Sequence, residues 1–198
     1  MVLLTTGQAA GELGCAITTL RRLIRAGLLP GLTRHGVRVM IPLDTVQRLA
    51  ARAPAPLHHL AADEVAVLRV DAARQVVEDD RGWSGFATTL SAETLLKALR
   101  GWWRCDAASV AAAGVLPVTV AGYVVAVLTG LEHWESNAQG RRAFPGARLA
   151  GYVTDLATPA TALTATAAGE RRLAGLLLGT RLPSHSSGPI AYVATRPG

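Results

Sequence analysis

The fold of the N-terminal part of the chain is decided by one stretch, Thr18-Thr19-Leu20-Arg21-Arg22-Leu23-Ile24-Arg25-Ala26-Gly27-Leu28-Leu29-Pro30. Leu20, Leu23 and Ile24 recur at helical spacing, which predicts a helix over 17–26 with one apolar face. The three arginines then lie on the outer side of that helix. Gly27 ends the helix, and the chain turns through Pro30.

The neighbouring residues extend this pattern in both directions. Thr5 or Thr6 can cap a short helix that runs to about Leu13 and ends at Gly14. On the other side, 32–34 and 38–41 are predicted strands around a glycine turn, and Pro42 starts a third helix. The predicted order is helix, turn, helix, two-stranded wing, helix.

Positive charge is concentrated in this same part of the chain. The whole sequence of 198 residues has a formal net charge of +6. Residues 1–55 contain seven arginines against Glu12 and Asp44, whereas basic and acidic groups nearly balance in the remainder. A basic surface of this kind predicts an anionic partner for the N-terminal segment. Abundant arginine and alanine beside a single lysine, Lys97, suggest a bacterial or phage genome of high GC content.

The ordered set of residues resembles the winged helix-turn-helix domains of the excisionase and MerR-type families. The residues that carry the resemblance are Ala9-Ala10, Leu13-Gly14, Thr18 to Ile24, Gly27 to Pro30, Gly36 to Pro42 and Val46. The resemblance covers about a quarter of the chain. It implies that the domain binds double-stranded DNA, with the helix from Ile17 as the recognition helix in the major groove.

The resemblance also assigns the DNA-binding residues. On the recognition helix they are Thr18, Thr19, Arg21, Arg22 and Arg25, and on the wing they are Arg34, His35 and Arg38. Arginine can bind a phosphate or read guanine through its fork, and the wing is expected to hold backbone phosphates or enter the minor groove. The chain departs from the families at Ala16 and Ile17, where they usually carry polar residues. This weakens the predicted helix cap, and Ile17 either touches a thymine methyl or packs.

The rest of the chain predicts a second domain. Residues 53–62 contain two prolines and are interpreted as a linker between a domain at 1–52 and a domain at 63–198. Capping residues predict helices after Ser91 and Asp106, and a further helix is expected over 168–178. Strands are predicted over 64–70, on both sides of Ala121-Gly122, over 131–134 and over 189–194. The predicted fold class is α+β, a winged helix-turn-helix joined to a mixed α/β domain with short antiparallel strands.

All four tryptophans lie in the second domain, where they favour a core position, as most tryptophans do. The alternative is a basic, aromatic surface that stacks a flat ligand or an extruded base. Its members would be Arg100, Trp102, Trp103, Arg104, Trp134, Arg141 and Arg142. The run from Tyr123 to Trp134 resembles small β-barrel modules of the PUA-like kind, which bind nucleic acid.

Several other classes of function have little support in the sequence. The uncharged stretch 107–131 is long enough to span a bilayer, but Pro117 and the β-branched residues after it favour a buried hairpin. Two cysteines without zinc-ligand spacing, and no signal peptide, predict reduced thiols in a cytoplasmic protein. Cys105, His133 and the Ser184-His185 pair fit no catalytic signature, so we expect no enzyme activity, no cofactor and no metal.

The sequence therefore predicts a sequence-specific binding protein for double-stranded DNA, most simply a transcriptional regulator. Because a single winged domain offers a small interface, we expect a homodimer or cooperative assembly on DNA. The alternatives are an excisionase-like accessory factor of a phage or plasmid, and a reader of modified DNA through the second domain. Excisionase-like factors usually end soon after the wing, which this chain does not.

Overall fold

The computed structural model describes residues 2–77, 81–158, 160–165 and 167–196. The first unit, residues 2–52, begins with β1 (Leu3–Thr5) and α1 (Thr6–Glu12). Thr5 caps α1 as the sequence predicts. Its hydroxyl accepts from the backbone N–H of Gln8, and the Gln8 side chain accepts from the backbone N–H of Thr5.

The predicted recognition helix is α2 (Ile17–Arg25), and its buried face consists of Leu20 and Leu23. It packs against α1. Gly27 follows with a φ of +73°, a conformation that favours glycine, and this ends the helix where the sequence predicts.

The wing consists of β2 (Thr33–His35) and β3 (Arg38–Pro42), which are antiparallel. β1 pairs with the other edge of β3, so the sheet has three strands rather than the predicted two. β1 escaped prediction because its three residues run directly into α1, which leaves no strand-length pattern. The unit ends with α3 (Leu43–Ala50), which begins after Pro42 as expected.

The connecting segment, residues 53–62, is held against the second unit. The backbone N–H of Ala55 donates to the carbonyl of Arg181, and Arg181 N–H donates back to Ala53 at the same distance of 2.8 Å. A short 3-10 helix, Leu57–His59, follows, and its Leu57 and the nearby Leu60 are buried. The two units are therefore joined without an extended spacer.

The second unit, residues 63–196, is built on a mixed six-stranded sheet. In chain order its strands are β4 (Glu64–Arg69), β8 (Leu116–Val120), β9 (Tyr123–Thr129), β12 (Arg148–Asp155), β13 (Ala160–Leu163) and β14 (Ile190–Ala194). Their spatial order is β13-β12-β9-β8-β4-β14, with β4 and β8 parallel and the other pairs antiparallel. The predicted hairpin at Ala121-Gly122 joins β8 to β9 and is confirmed.

Three helices pack on this sheet or beside it. They are α4 (Ala92–Leu99), α5 (Ala107–Ala112) and α6 (Ala168–Leu177). The Ser91 hydroxyl caps α4, and the Asp106 carboxylate caps α5, as the sequence predicts. α5 packs against β4, and α6 packs against β9 and β12.

Two small sheets complete the unit. One contains β7 (Gly101–Trp103), β10 (Glu135–Ser136) and β11 (Arg142–Ala143), and the other contains β5 (Arg74–Gln75) and β6 (Trp83–Ser84). The strand predicted over 131–134 is wrong, because β9 already ends at Thr129 and those residues form a loop. The likeness to a small barrel is also wrong, since the six described strands form an open sheet with edges at β13 and β14.

The two units share one hydrophobic core. Leu28, at the end of the α2 turn, and Val67, in β4, belong to the same buried cluster. Backbone hydrogen bonds cross between the units, from Thr88 N–H to Ala26 and from Leu156 N–H to Leu28, each 3.0 Å long. The Arg52 guanidinium adds a bond of 3.1 Å to the Ala157 carbonyl. These contacts fix where α2 lies relative to the large sheet.

The uncharged stretch 107–131 supplies α5, β8 and β9 to this core, as the sequence predicts. Within the described part of the chain, no helix is long and apolar enough to cross a membrane.

Candidate nucleic-acid interface

The outer face of α2 presents most of the predicted recognition residues to solvent. Thr18, Arg21, Arg22 and Arg25 are exposed, whereas Thr19 is half-buried. Thr19 lies on the side of α2 that faces the second unit, in a hollow shared with Arg69 and His185. Four of the five predicted residues of α2 therefore share one exposed face.

The wing presents the other predicted residues. Arg34, His35 and Arg38 are exposed, and His35 lies opposite Arg38 across the β2–β3 hairpin. The hairpin turns at Gly36 and Val37, and Val37 is 99% exposed at its tip. An apolar side chain held this far from the protein is available to an outside partner.

Two open depressions join these elements into a continuous surface. The wing cleft, defined by Thr6, Arg21, Val37 and Arg38, lies between α1, α2 and the wing. The α2 groove is defined by Thr18, Arg21, Arg22, Arg25 and residues 71–74 of the second unit. Because Arg21 lines both depressions, the basic surface runs without a break from the wing along α2.

The seven arginines of the first segment do not all contribute charge to this surface. Arg52 points into the contact between the units, Arg48 pairs with Asp44 on α3, and Arg22 pairs with Asp71 of the second unit. Of the remaining four, Arg21 and Arg25 line the α2 groove, Arg21 and Arg38 line the wing cleft, and Arg34 is exposed on β2 outside both depressions. Among the described residues, none of these four guanidinium groups has a carboxylate oxygen within 4.0 Å. Their charge is available to an anion.

The start of α2 lacks the capping side chain that related domains usually have. Ala16 is the N-cap of α2, and no side-chain hydrogen bond caps the helix there. Ile17 is 44% exposed, so much of its side chain is free of the protein core. An exposed apolar group beside Thr18 suits contact with a thymine methyl better than internal packing.

A protein-family model described as a helix-turn-helix domain matches residues 3–54 of the chain. These residues form a helix-turn-helix domain. The match spans α1, α2, the wing and α3, and it confirms the excisionase-type domain that the sequence predicts. It covers about a quarter of the chain, and the helix-turn-helix domain is of a kind that binds DNA. No curated protein and no solved structure matches the chain.

Outside the helix-turn-helix domain, four residues of the predicted second surface converge on one open cavity of about 630 Å³. Trp102, Trp103, Arg104 and Arg141 line it, together with Arg74 and Arg81. We call this the tryptophan cavity. Trp103 is anchored by a hydrogen bond of 3.0 Å from its indole N–H to the Leu99 carbonyl, and the Arg81 guanidinium lies 5.4 Å from the centre of its ring.

The other three residues of that predicted surface do not line the cavity. The Arg142 guanidinium donates to the Ser136 hydroxyl, Arg100 is half-buried, and Trp134 lies in the loop before β10 with 42% of its surface exposed. The core position that the sequence favours for the tryptophans is met only in part: none of the four is fully buried, but the half-buried Trp103 packs against the core. Phe86 and Phe144 supply the buried aromatic rings instead.

The sequence analysis did not place Arg74 and Arg81 on this surface, because no local pattern links them to Trp102 and Trp103. β5 and β6 are two residues long, and β7 reaches this place through its pairing with β11. Gly101 permits that pairing, because a β-carbon there would lie 2.5 Å from that of Ala143. Only the assembled fold brings these side chains together.

Cys105, His133 and the Ser184-His185 pair lie in three separate segments outside the helices and strands. Burial raises the pKa of the Cys105 thiol, which opposes formation of the reactive thiolate. His133 is exposed, and Ser184 and His185 lie in a loop. Within the described ranges no three histidine, cysteine or carboxylate side chains are grouped as metal ligands.

Proposed function

We propose that this protein is a sequence-specific binding protein for double-stranded DNA that regulates transcription in the cytoplasm of a bacterial cell. The observation that carries the proposal is a set of four exposed arginines without a carboxylate partner among the described residues, Arg21 and Arg25 on α2 and Arg34 and Arg38 on the wing. Guanidinium groups in this arrangement suit phosphates along a groove, and those of α2 also reach base edges.

Electrostatics and the helix-turn-helix match support the same proposal. Each phosphate that a protein neutralises lowers log K by about 0.9 per unit of log salt concentration. Four arginines without carboxylate partners on α2 and the wing therefore favour salt-sensitive binding to duplex. The exposed Ile17 and Thr18 at the start of α2 are the groups we assign to base contact.

The size and attachment of the second unit favour a regulator over an excisionase-like accessory factor. The second unit is fixed against α2 by hydrogen bonds and by a shared core. We therefore expect a conformational change in the second unit to alter the position of α2. We propose that it senses a ligand or mediates self-association, and that the protein acts as a homodimer or as a cooperative assembly, without catalysis. One helix-turn-helix domain buries only roughly 600–1,000 Å² on DNA, which leaves affinity to be gained from a second copy.

Selection of bound sequences from random duplexes by the full chain tests the proposal, followed by binding measured by fluorescence anisotropy over a range of salt concentrations. We expect an enriched motif and a steep fall in affinity with salt. Arg21→Ala and Arg38→Ala should each weaken binding at least about tenfold, as expected for a charged contact of 1.4 kcal/mol or more.

Arg172→Ala is the matched control, because Arg172 is an exposed arginine on α6, away from α2 and the wing. It should leave affinity within about twofold of the unchanged protein. Failure of the unchanged protein to bind duplex at low ionic strength would contradict the proposal, as would equal effects of all three substitutions.

A further inference from the structure

We propose that the tryptophan cavity is a second site that binds one unstacked nucleotide, its base against Trp102 and Trp103 and its phosphate among Arg74, Arg104 and Arg141. The nucleotide is either a free one or one extruded from a DNA strand. Only the second source rests on the proposed function, because it requires DNA to lie on α2.

The walls of the cavity combine the two groups that a nucleotide requires. Trp102 and Trp103 are half-buried, so they are held by the protein and still offer ring surface. Base stacking on an aromatic side chain stabilises complexes with unpaired nucleotides whatever the base, because every base has a flat face. The hydrogen bond of Trp103 to Leu99 fixes its ring before any ligand binds.

The charged part of the cavity suits a phosphate. Arg74, Arg104 and Arg141 are exposed, and within the described residues no carboxylate oxygen lies within 4.0 Å of their guanidinium groups. Arginine binds phosphate through paired N–H donors. Three such groups beside an aromatic wall favour a flat anion over an uncharged aromatic molecule.

The size and position of the cavity narrow the range of possible ligands further. About 630 Å³ is within the range of roughly 300–1,000 Å³ for small-ligand sites, which is enough for one nucleotide. Arg74 lines both this cavity and the α2 groove. A strand lying on α2 therefore passes the mouth of the cavity, so that a base leaving the stack there meets Trp102 and Trp103.

The experiment is titration of the full chain with three probes while tryptophan fluorescence is recorded: dAMP, a single-stranded oligonucleotide of twelve residues, and inorganic phosphate. Stacking on Trp102 or Trp103 should quench the emission in a saturable manner. We expect quenching by dAMP if the site takes a free nucleotide, and by the oligonucleotide alone if it takes a base from a strand. Either result supports the site.

Variants of the cavity residues test whether the fluorescence quenching arises in the tryptophan cavity. Trp102→Leu should weaken binding of the quenching probe at least about fivefold, and Trp102→Phe, which keeps a ring, should weaken it less. The double substitution of Arg104 and Arg141 by alanine removes two exposed charges and should also weaken binding, with the fold preserved. Trp134→Phe and Arg172→Ala change the same residue types outside the cavity, so they should leave the affinity unchanged.

The proposal is overturned if neither nucleotide probe quenches, if phosphate alone accounts for the change, or if the cavity variants bind as the unchanged protein does. Duplex binding distinguishes this failure from failure of the proposed function. Arg21→Ala and Arg38→Ala should weaken binding of duplex and leave dAMP quenching intact, whereas the cavity variants should retain binding of an ordinary paired duplex.

Discussion

Arg22 of the recognition helix is held by Asp71 of the second unit, with 2.9 Å between Nε and Oδ1. Both side chains are at least half exposed, so water and salt screen the pair and it stabilises the fold by less than about 1 kcal/mol. We expect a larger effect of this pair on DNA binding than on stability. The carboxylate neutralises one recognition arginine and repels any phosphate that approaches the α2 groove.

Asp71→Asn is therefore expected to increase the affinity for duplex severalfold. It should also steepen the dependence of log K on log salt concentration, by up to about 0.9 if the freed Arg22 contacts one more phosphate. Anisotropy titrations at three or more salt concentrations measure both quantities. Asp63→Asn is the control, since Asp63 forms a similarly exposed pair with Arg196 outside the groove. Equal affinities for Asp71→Asn and the unchanged protein would show that this carboxylate does not oppose binding.

The uncapped start of α2 can be repaired without touching the arginines. In Ala16→Thr, the new hydroxyl can accept from a backbone N–H in the first turn, and we expect the free energy of unfolding to rise by about 1 kcal/mol. Ala16→Val has the same shape without the hydroxyl and should give no such gain. Urea unfolding of both variants measures the difference. A gain shared by both would point to packing instead of capping.

The contact between the units at Gly27 and Thr88 should be sensitive to a single methyl group. In Gly27→Ala the new β-carbon would lie 2.4 Å from the Thr88 hydroxyl, which donates to the Gly27 carbonyl at 3.2 Å. Gly14→Ala imposes a similar left-handed backbone strain, of about 1–2 kcal/mol, in open space. We expect Gly27→Ala to lower the free energy of unfolding by about 1 kcal/mol more than Gly14→Ala.

Thr88→Ala tests whether the clash with the Thr88 hydroxyl causes the extra loss of stability in Gly27→Ala, because it removes that hydroxyl. In its background the difference between the Gly27 and Gly14 variants should largely disappear. A difference that persists would mean that the strain arises elsewhere. All variants are compared by chemical unfolding of the full chain.

The attachment of α6 to the large sheet should depend on pH. Arg148 donates to Glu170 at 2.5 Å, and this hydrogen bond and charge hold the pKa of the Glu170 carboxyl below its usual value of 4.5. A lowered folded pKa stabilises the protein at pH values above the unfolded pKa, and the contribution is lost as the pH falls through the folded pKa.

Glu170→Gln should therefore lower the free energy of unfolding at pH 7, by up to about 1 kcal/mol, and match the unchanged protein at acid pH. Urea unfolding between pH 7 and pH 3.5 measures the two curves. Glu93→Gln breaks an exposed pair within one helix and should have the smaller effect. Parallel curves over the whole pH range would contradict the assignment to Glu170.

Features that depend on neighbours in the sequence were predictable. Capping side chains such as Thr5, Ser91 and Asp106 act within three residues, so the helices they begin were located correctly. The exposed arginines of α2 were found for the same reason, because helical spacing separates an inner face from an outer one. Those of the wing were assigned from the resemblance to other helix-turn-helix domains. Their contact with DNA stays a prediction.

Features that depend on distant residues were not predictable. β12 and β13 lack a clear alternation and are defined by pairing with each other and with β9, and β5 exists only through β6. The pairing of Arg22 with Asp71 joins residues that no local pattern connects. The tryptophan cavity was anticipated as a surface from its neighbouring tryptophans and arginines, but Arg74 reaches it only through the fold.

The bonds from Thr88 and Leu156 to the turn after α2 also bear on how this DNA-binding domain can be reused. Cutting the chain near residue 54 would lay bare Leu28 and its apolar neighbours. A chimaera that grafts this domain onto a foreign effector would need to carry along the receiving surface around Thr88 and Leu156. The unit that could be transferred is therefore larger than the fifty residues that resemble other proteins.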